Sequence, residues 1–329
     1  PKGNYADMKT NGWEITLSWR DDYKLANKPF SYDVRVTLAD YTSKIVKYTN
    51  PEMELGGYWD ARVNYYEGMT LGEIWGYETE GFFTSDEDVA NHASQKLYYA
   101  SNSGKWLPGD IKFKDLNNDE VIDYGTNKVN DSGDRKIIGN TTPRYTYSFN
   151  LGANWNNIFI SAFLQGVGKQ DWWPGTDNAL FWGQYNRPYN NIPKSMLGNI
   201  WSEDNPDAYF PRYRGYVALQ SSRELAVTQT RYLQNVAYIR LKNLQVGYNL
   251  PKNLVSSVRM QNARIYMSAE NLWGWSPLYK ITKNFDFGSI YGTDIEQANA
   301  VSSSGIANGS QVYNYPIMKS ISFGVSVTF

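Results

Sequence analysis

Cysteine is absent from the 329 residues, and His92 is the single histidine. Disulfide frameworks, thiolate metal sites, cysteine nucleophiles and multi-histidine metal centres are thereby excluded together. Carboxylates and hydroxyls are what remains for chemistry. Nowhere does the chain carry the roughly 20 consecutive apolar residues that a spanning helix requires; the longest candidate, 158–164, is interrupted by Ser161. Excess positive charge is missing as well. The net charge is −1 and the pI is near 6.0, so no global field would draw nucleic acid. Residues 1–10 hold no apolar core of the kind a cleavable leader has, which fits a cytosolic chain, a mature chain or a fragment.

Aromatic side chains are what the chain has in plenty: 27 Tyr, 12 Trp and 13 Phe, against a mean hydropathy of −0.57. An aromatic-rich chain that is not hydrophobic on average matches a β-barrel, in which every second residue faces water and the long loops are polar. The period-two signal is strongest at the end. There Ile321, Phe323, Val325, Val327 and Phe329 alternate with Ser320, Ser322, Gly324, Ser326 and Thr328, giving a strand with one apolar face and one face of small polar groups.

The same period predicts six further strands. Trp13, Ile15, Leu17 and Trp19 form the first apolar set, and Tyr32, Val34, Val36 and Leu38 the second. Tyr145, Tyr147, Phe149, Leu151, Ala153 and Trp155 form the third, and Ile158, Ile160, Ala162 and Leu164 the fourth. The fifth strand covers about 236–249 and changes parity near Lys242 and Asn243, which predicts a bulge. Ile265, Met267 and Ala269 mark the sixth. The intervening segments, about 21–31, 40–144, 156–157, 167–235, 251–262 and 273–319, alternate short and long. That is the rule of outer-membrane barrels, with short periplasmic turns and long extracellular loops. Seven strands are too few to close a barrel with loops of this size, so the chain reads as a C-terminal portion. The fold class is therefore all-β, an antiparallel transmembrane β-barrel segment. A soluble sandwich also alternates, but its connections are usually a few residues long.

One run carries a more specific signal. Gly109-Asp110-Ile111-Lys112-Phe113-Lys114-Asp115-Leu116-Asn117 continues through Asp119, Ile122 and Asp123 to Asp134-Arg135-Lys136-Ile137-Ile138-Gly139 and Pro143. It resembles the C-terminal half of SusC/RagA-type TonB-dependent transporters. So does Tyr238-Ile239-Arg240-Leu241-Lys242-Asn243-Leu244-Gln245-Val246-Gly247-Tyr248-Asn249-Leu250-Pro251. Leu164-Gln165-Gly166, Ala269-Glu270-Asn271-Leu272 and Asn11-Gly12-Trp13-Glu14 support the match, as does the segment from Glu67-Gly68 through Gly76-Tyr77 to Gly81. The resemblance implies a barrel of about 22 strands plugged by an N-terminal domain of the same polypeptide, with the present chain supplying the last seven. It also implies a SusD-like surface lipoprotein as a lid, energy from the TonB complex, and a place in the outer membrane of a Gram-negative bacterium. Plug, TonB-contacting segment and signal peptide would lie upstream.

Two constellations invite a site. Asp115, Asn117, Asp119, Val121 (through its carbonyl) and Asp123 have the oxygen spacing of the first part of a calcium loop. Glu120 stands where the sharp turn usually needs Gly, however, and Thr126 where a closing Glu would stand. An Asx-turn closed by hydrogen bonds alone is the other reading. The second long loop carries Trp172, Trp173, Phe181, Trp182, Tyr185, Tyr189, Tyr209, Phe210 and Tyr213, whose flat faces suit sugar rings or peptide side chains, although a loop of this length needs its own small core and aromatics are the usual filler. His92 follows Ser85-Asp86-Glu87-Asp88-Val89, which reads as a capped helix, and no elbow serine accompanies it for a triad.

These readings point to an outer-membrane importer of oligomeric nutrients that performs no bond chemistry, and the Trp-rich loops favour oligosaccharide over oligopeptide. A soluble or surface-attached carbohydrate-binding β-protein and a secreted glycosidase stay open as alternatives.

Overall fold

The computed structural model describes residues 6–56, 64–95, 104–176, 178–186, 192, 194–219, 223–290 and 317–329. Its strands are β1 (Ala6–Leu25), β2 (Lys28–Tyr48), β3 (Glu73–Tyr77), β4 (Thr79–Phe82), β5 (Ile111–Phe113), β6 (Arg135–Asn140), β7 (Arg144–Trp155), β8 (Ile158–Lys169), β9 (Asp171–Trp172), β10 (Gln234–Asn235), β11 (Tyr238–Asn249), β12 (Asn262–Trp275) and β13 (Ser320–Thr328). The seven long ones make one antiparallel sheet in the order β1-β2-β7-β8-β11-β12-β13, which is the set the period-two reading predicts. Each strand pairs with the next long strand along the chain, so the sheet is a plain meander, open at β1 and β13.

The turns at one end are tight. Asn156 and Asn157 bridge β7 and β8 with φ of 47° and 70°, the positive values a two-residue hairpin needs. The predicted connection 21–31 is shorter than expected: pairing runs on to Leu25 opposite Lys28, leaving Ala26 and Asn27, also at positive φ. Between β11 and β12 sits a short helix, Lys252–Ser257. The expected bulge is present, since the register of β11 slips between Leu241 and Asn243 against both β8 and β12.

Register converts the alternation of single strands into two faces. Trp19, Val34, Leu151, Ala162, Leu244, Ala269 and Ile321 are successive partners across all seven strands, one unbroken apolar row. Toward the turns the row Tyr23, Phe30, Trp155, Ile158, Tyr248, Ile265 and Val325 is richer in aromatics. On the opposite face the neighbouring row is Arg20, Asp33, Gly152, Ser161, Gln245, Ser268 and Ser322. A one-residue slip in any strand would exchange its two faces.

The buried core lies in the long connections at the other end of the sheet. One cluster gathers Ile74 and Tyr77 of β3, Phe113 of β5, Trp172, Trp182, Tyr185, Phe210 and Tyr232 of the second loop, and Leu278 and Phe285 of the third. A smaller one joins Ile45, Leu55, Tyr66, Met69 and Trp75. Backbone bonds lock the first loop to the second: Tyr77 N–H donates to the Thr228 carbonyl at 2.9 Å, and Thr230 N–H to the Tyr77 carbonyl at 3.0 Å. The long loops thus pack as a common body on the sheet.

Candidate functional site

On the apolar face of the sheet many large side chains are exposed, most of all toward its edges: Phe323 is 81 % exposed, Val325 69 % and Leu17 67 %. Side chains of this kind on a wall over seven strands need an apolar surrounding, because water-exposed apolar patches of this extent are rare in monomeric soluble proteins. The opposite face is polar, with a hollow of about 480 Å³ whose lining includes Asp33, Asn150, Asn154, Asn243, Gln245, Asn249 and Arg264. Its floor is low because Gly152 and Ser161 pair there.

Two residues of this hollow were not flagged by alternation. Phe159 and Phe163 occupy polar-face positions of β8, opposite Asn154 and Asn150, so both parities of that strand are apolar at these points. The ring of Phe159 lies over Gly247, where a Cβ would stand 2.5 Å from it, and the Arg264 guanidinium is 5.9 Å from its centroid. Large aromatics at positions reserved for polar groups were the available signal. The arrangement offers amide donors and acceptors beside flat apolar faces, suited to holding a polar chain by hydrogen bonds and stacking.

Of the two readings open to the aromatics of the second loop, a ligand surface or a core of the loop itself, most of them take the second. Trp182 and Tyr185 are fully buried, and Trp172, Trp173 and Phe210 nearly so. They pack on one another, as in the Trp182 and Tyr232 rings at 5.1 Å and the stacked Tyr185 and Phe210 rings at 5.7 Å. Tyr185 also donates its hydroxyl to the Pro211 carbonyl at 2.6 Å, and burial raises its pKa. These five therefore form the loop's own core and offer no face to a ligand. A segment of this length needs such a core, and aromatics bury the most area per residue. Tyr209 is half-buried and gives its ring to the same cluster. Tyr213 is exposed, and its hydroxyl donates to the Gln184 carbonyl at 3.2 Å. Tyr189 lies outside the described residues.

The acidic turn has its oxygens engaged. Asp115 accepts from the Asn118 and Glu120 amides at 2.6 and 2.9 Å, Asn117 from Asp119 at 3.1 Å, Asp119 from Val121 at 2.8 Å, and Asp123 from Gly125 at 2.6 Å. Asp134 closes the loop by accepting from Leu116 and Asp123. Burial raises its pKa, with the charges of Asp115 and Asp119 adding to the effect. Asn118 and Glu120 take positive φ. Among the described residues no three His, Asp or Glu side chains converge as a metal site, and the carboxylates of this turn accept backbone amides. Hydrogen bonds close the turn.

His92 serves structure. Its Nε2 is 2.8 Å from the Phe113 carbonyl, and it follows the predicted helix, Asp86–Asn91, whose cap Ser85 accepts from the Asp88 amide.

No family model matches the chain. It is 26 % identical over 275 residues to the TonB-dependent receptor P3 of Formosa agariphila, covering 82 % of this chain and 24 % of that receptor. To the TonB-dependent receptor P26 of the same organism it is 23 % identical over 332 residues, covering 99 % of this chain and 30 % of the receptor. Among solved structures, the RagAB peptide importer in its open-open state superposes with a TM-score of 0.60 at 19 % identity, covering 98 % of this chain and 29 % of that one. A second RagAB peptide transporter structure gives 0.55 at 19 % identity, covering 83 % and 26 %. The chain thus spans less than a third of the length of the curated relatives it matches. Its motifs, its open antiparallel wall and these likenesses agree: the chain resembles a part of the barrel of a SusC/RagA-type TonB-dependent outer-membrane transporter.

Proposed function

We propose that this chain is the C-terminal part of the barrel of a TonB-dependent importer of oligomeric nutrients in the outer membrane of a Gram-negative bacterium. The observation that carries the reading is the pair of opposed rows, apolar on one side of all seven strands and small or polar on the other. Lipid covers the first face and the transport pathway runs along the second, where the amide-lined hollow lies. The remaining strands and the plug belong to the same polypeptide. A SusD-like surface lipoprotein closes over the loop body, and the TonB complex supplies energy through the plug. The protein's task is gated passage.

The argument for oligosaccharide rested on the tryptophans of the second loop. Trp172, Trp173 and Trp182 are buried and lend it no support, while Trp201 of the same loop is half-buried, so the cargo we propose is an oligomer able to hydrogen-bond to amides. The test is extraction and uptake. The native protein should require detergent for extraction and show heat-modifiable mobility on gels, and its deletion should abolish growth on one class of oligomer. A protein that stays in the aqueous phase without detergent would refute the reading.

A further inference from the structure

On the polar face, a row of partners closer to the loop body than the hollow reads Thr16, Thr37, Ser148, Gln165, Arg240 and Gly274. At its last two members this row is covered. A turn of the third long loop, the single 3-10 helix Phe287–Ser289 capped by Asp286, lies against it. The Phe287 ring is 2 % exposed and takes the place of a side chain at 274, since a Cβ on Gly274 would stand 2.5 Å from its Cζ. The ring stacks on Tyr238 of β11 at 4.9 Å and packs beside Tyr279 at 5.3 Å, and the Arg240 guanidinium is 4.6 Å from its centroid. Arg240 Nη2 also donates to the Asp286 carboxylate, inside the fold. The same segment is fastened to the core of the loop body through Leu278, Phe285 and Ile290, with the Phe285 ring 5.1 Å from that of Trp172.

We infer that residues 277–290 form a strap across the outer end of the polar hollow and set the size of what reaches it from outside. The inference rests on the importer reading, in which the polar face lines the pathway, and adds to it the element that selects by size. Placement carries the argument. The strap leaves Trp273 and Trp275 of the apolar face exposed and folds over Arg240 and Gly274 of the polar face. Arg240 is roughly 10 Å along β11, by strand rise, from Asn243, which lines the hollow. The seat is built from two strands. Glycine at 274 leaves room for the ring, and an ion pair sheltered in this way is costly to break from one side. A layer packed on a sheet adds about 10 Å of thickness, so the passage is narrower here than a bare wall would leave it. Phe287 and Arg240 act as positioning residues, through the strap they hold.

Because this chain holds no cysteine, an introduced thiol can report access to the hollow. In the full-length protein on intact cells, Asn150→Cys, at a position lining the hollow, is labelled from outside with a small sulfonated maleimide and with a maleimide on a long polyethylene glycol chain. Cells without the substitution give the blank. The small reagent should label the thiol, and the large one several-fold more slowly. Phe287→Ala deletes the ring and Gly274→Ala crowds it, so each should loosen the strap and raise the large-to-small labelling ratio several-fold. Met69→Ala, which disturbs the smaller core cluster, should leave the ratio where it was. Equal rates for the two reagents in Asn150→Cys alone, a ratio that both strap variants leave unmoved, or an equal rise from Met69→Ala overturns the inference. Absence of labelling by either reagent overturns it as well, because the hollow is then not reached from outside. The importer reading has its own control in Leu151→Cys on the apolar face. Labelling there by the sulfonated reagent, with none at Asn150→Cys, reverses the faces and sinks that reading, whereas equal rates at Asn150→Cys with Leu151→Cys protected sink the strap alone.

Discussion

Asp110 and Arg214 meet across 104 residues of chain, with Arg214 Nε donating to one carboxylate oxygen at 2.7 Å and Nη2 to the other at 2.6 Å. Their side chains are 1 % and 7 % exposed, so the pair joins the first long loop to the second inside the loop body. Burial pushes the Asp110 carboxyl up, and the guanidinium opposes that shift. Removing the arginine leaves an uncompensated buried charge, and breaking such a pair costs about 3–5 kcal/mol. Arg214→Met should therefore lower the unfolding midpoint of the loop body, read by tryptophan fluorescence, while the barrel keeps its heat-modifiable mobility. An unchanged midpoint would show that the two loops are held by their shared core alone.

The two faces of β7 give a paired test of the wall. Leu151 belongs to the apolar row and Asn150 to the polar one. Arginine on a lipid-facing midplane position costs about 2–4 kcal/mol in a barrel. Leu151→Arg should reduce folding into vesicles, measured by the fraction of protein with native gel mobility, and Asn150→Arg should be tolerated. Equal effects at both positions would contradict the assignment of faces.

Acid should loosen one corner of the loop body. Hydrogen bonds from Lys136 and then Lys114 hold the Glu78 carboxyl below its ordinary value of 4.5, and the Lys114 contact is 3.2 Å. A carboxylate with a depressed folded pKa binds fewer protons folded than unfolded, so its contribution is present above the unfolded value and is lost as pH falls through the folded one. Asp110, whose pKa is raised, acts with the opposite sign. The comparison to make is therefore between Glu78→Gln and the unaltered protein: the variant should lose stability less steeply below about pH 4.5. Identical acid slopes would mean that Glu78 gains nothing from its lysines in the fold.

At the acidic turn, Asp119 accepts the Val121 amide with one oxygen and the Asn117 side-chain amide with the other. Replacing it with alanine should cost about 1 kcal/mol, the net worth of a typical hydrogen bond. The loss should be the same with calcium or with chelator present. A midpoint that rises on adding calcium to the native protein, and not to Asp119→Ala, would place a cation in the loop.

The strands were legible because period two is a local property: Trp13 to Trp19, Tyr145 to Trp155 and Ser320 to Phe329 each declare two faces without reference to the rest of the chain. Even the bulge at Lys242 showed as a slip of parity. Phe159 and Phe163 escaped notice because a strand apolar on both sides gives the same signal as a continuous run. The loop aromatics were seen but not sorted, since nothing local distinguishes a ring that fills a core from one that meets a ligand. Trp182 and Tyr213 differ only in what surrounds them.

Composition and alternation by themselves determined a wall of antiparallel strands with one oily side, short turns at one end and long connections at the other, because those features depend on neighbours two residues apart. Folding in three dimensions decided which partners stand beside each strand, and so aligned Trp19 with Ile321 across five intervening strands. It also put Trp172 and Trp182 out of reach of solvent and laid Phe287 over Gly274. Burial and charge pairing are sums over atoms brought together from distant parts of the chain, and no stretch of sequence holds that information alone.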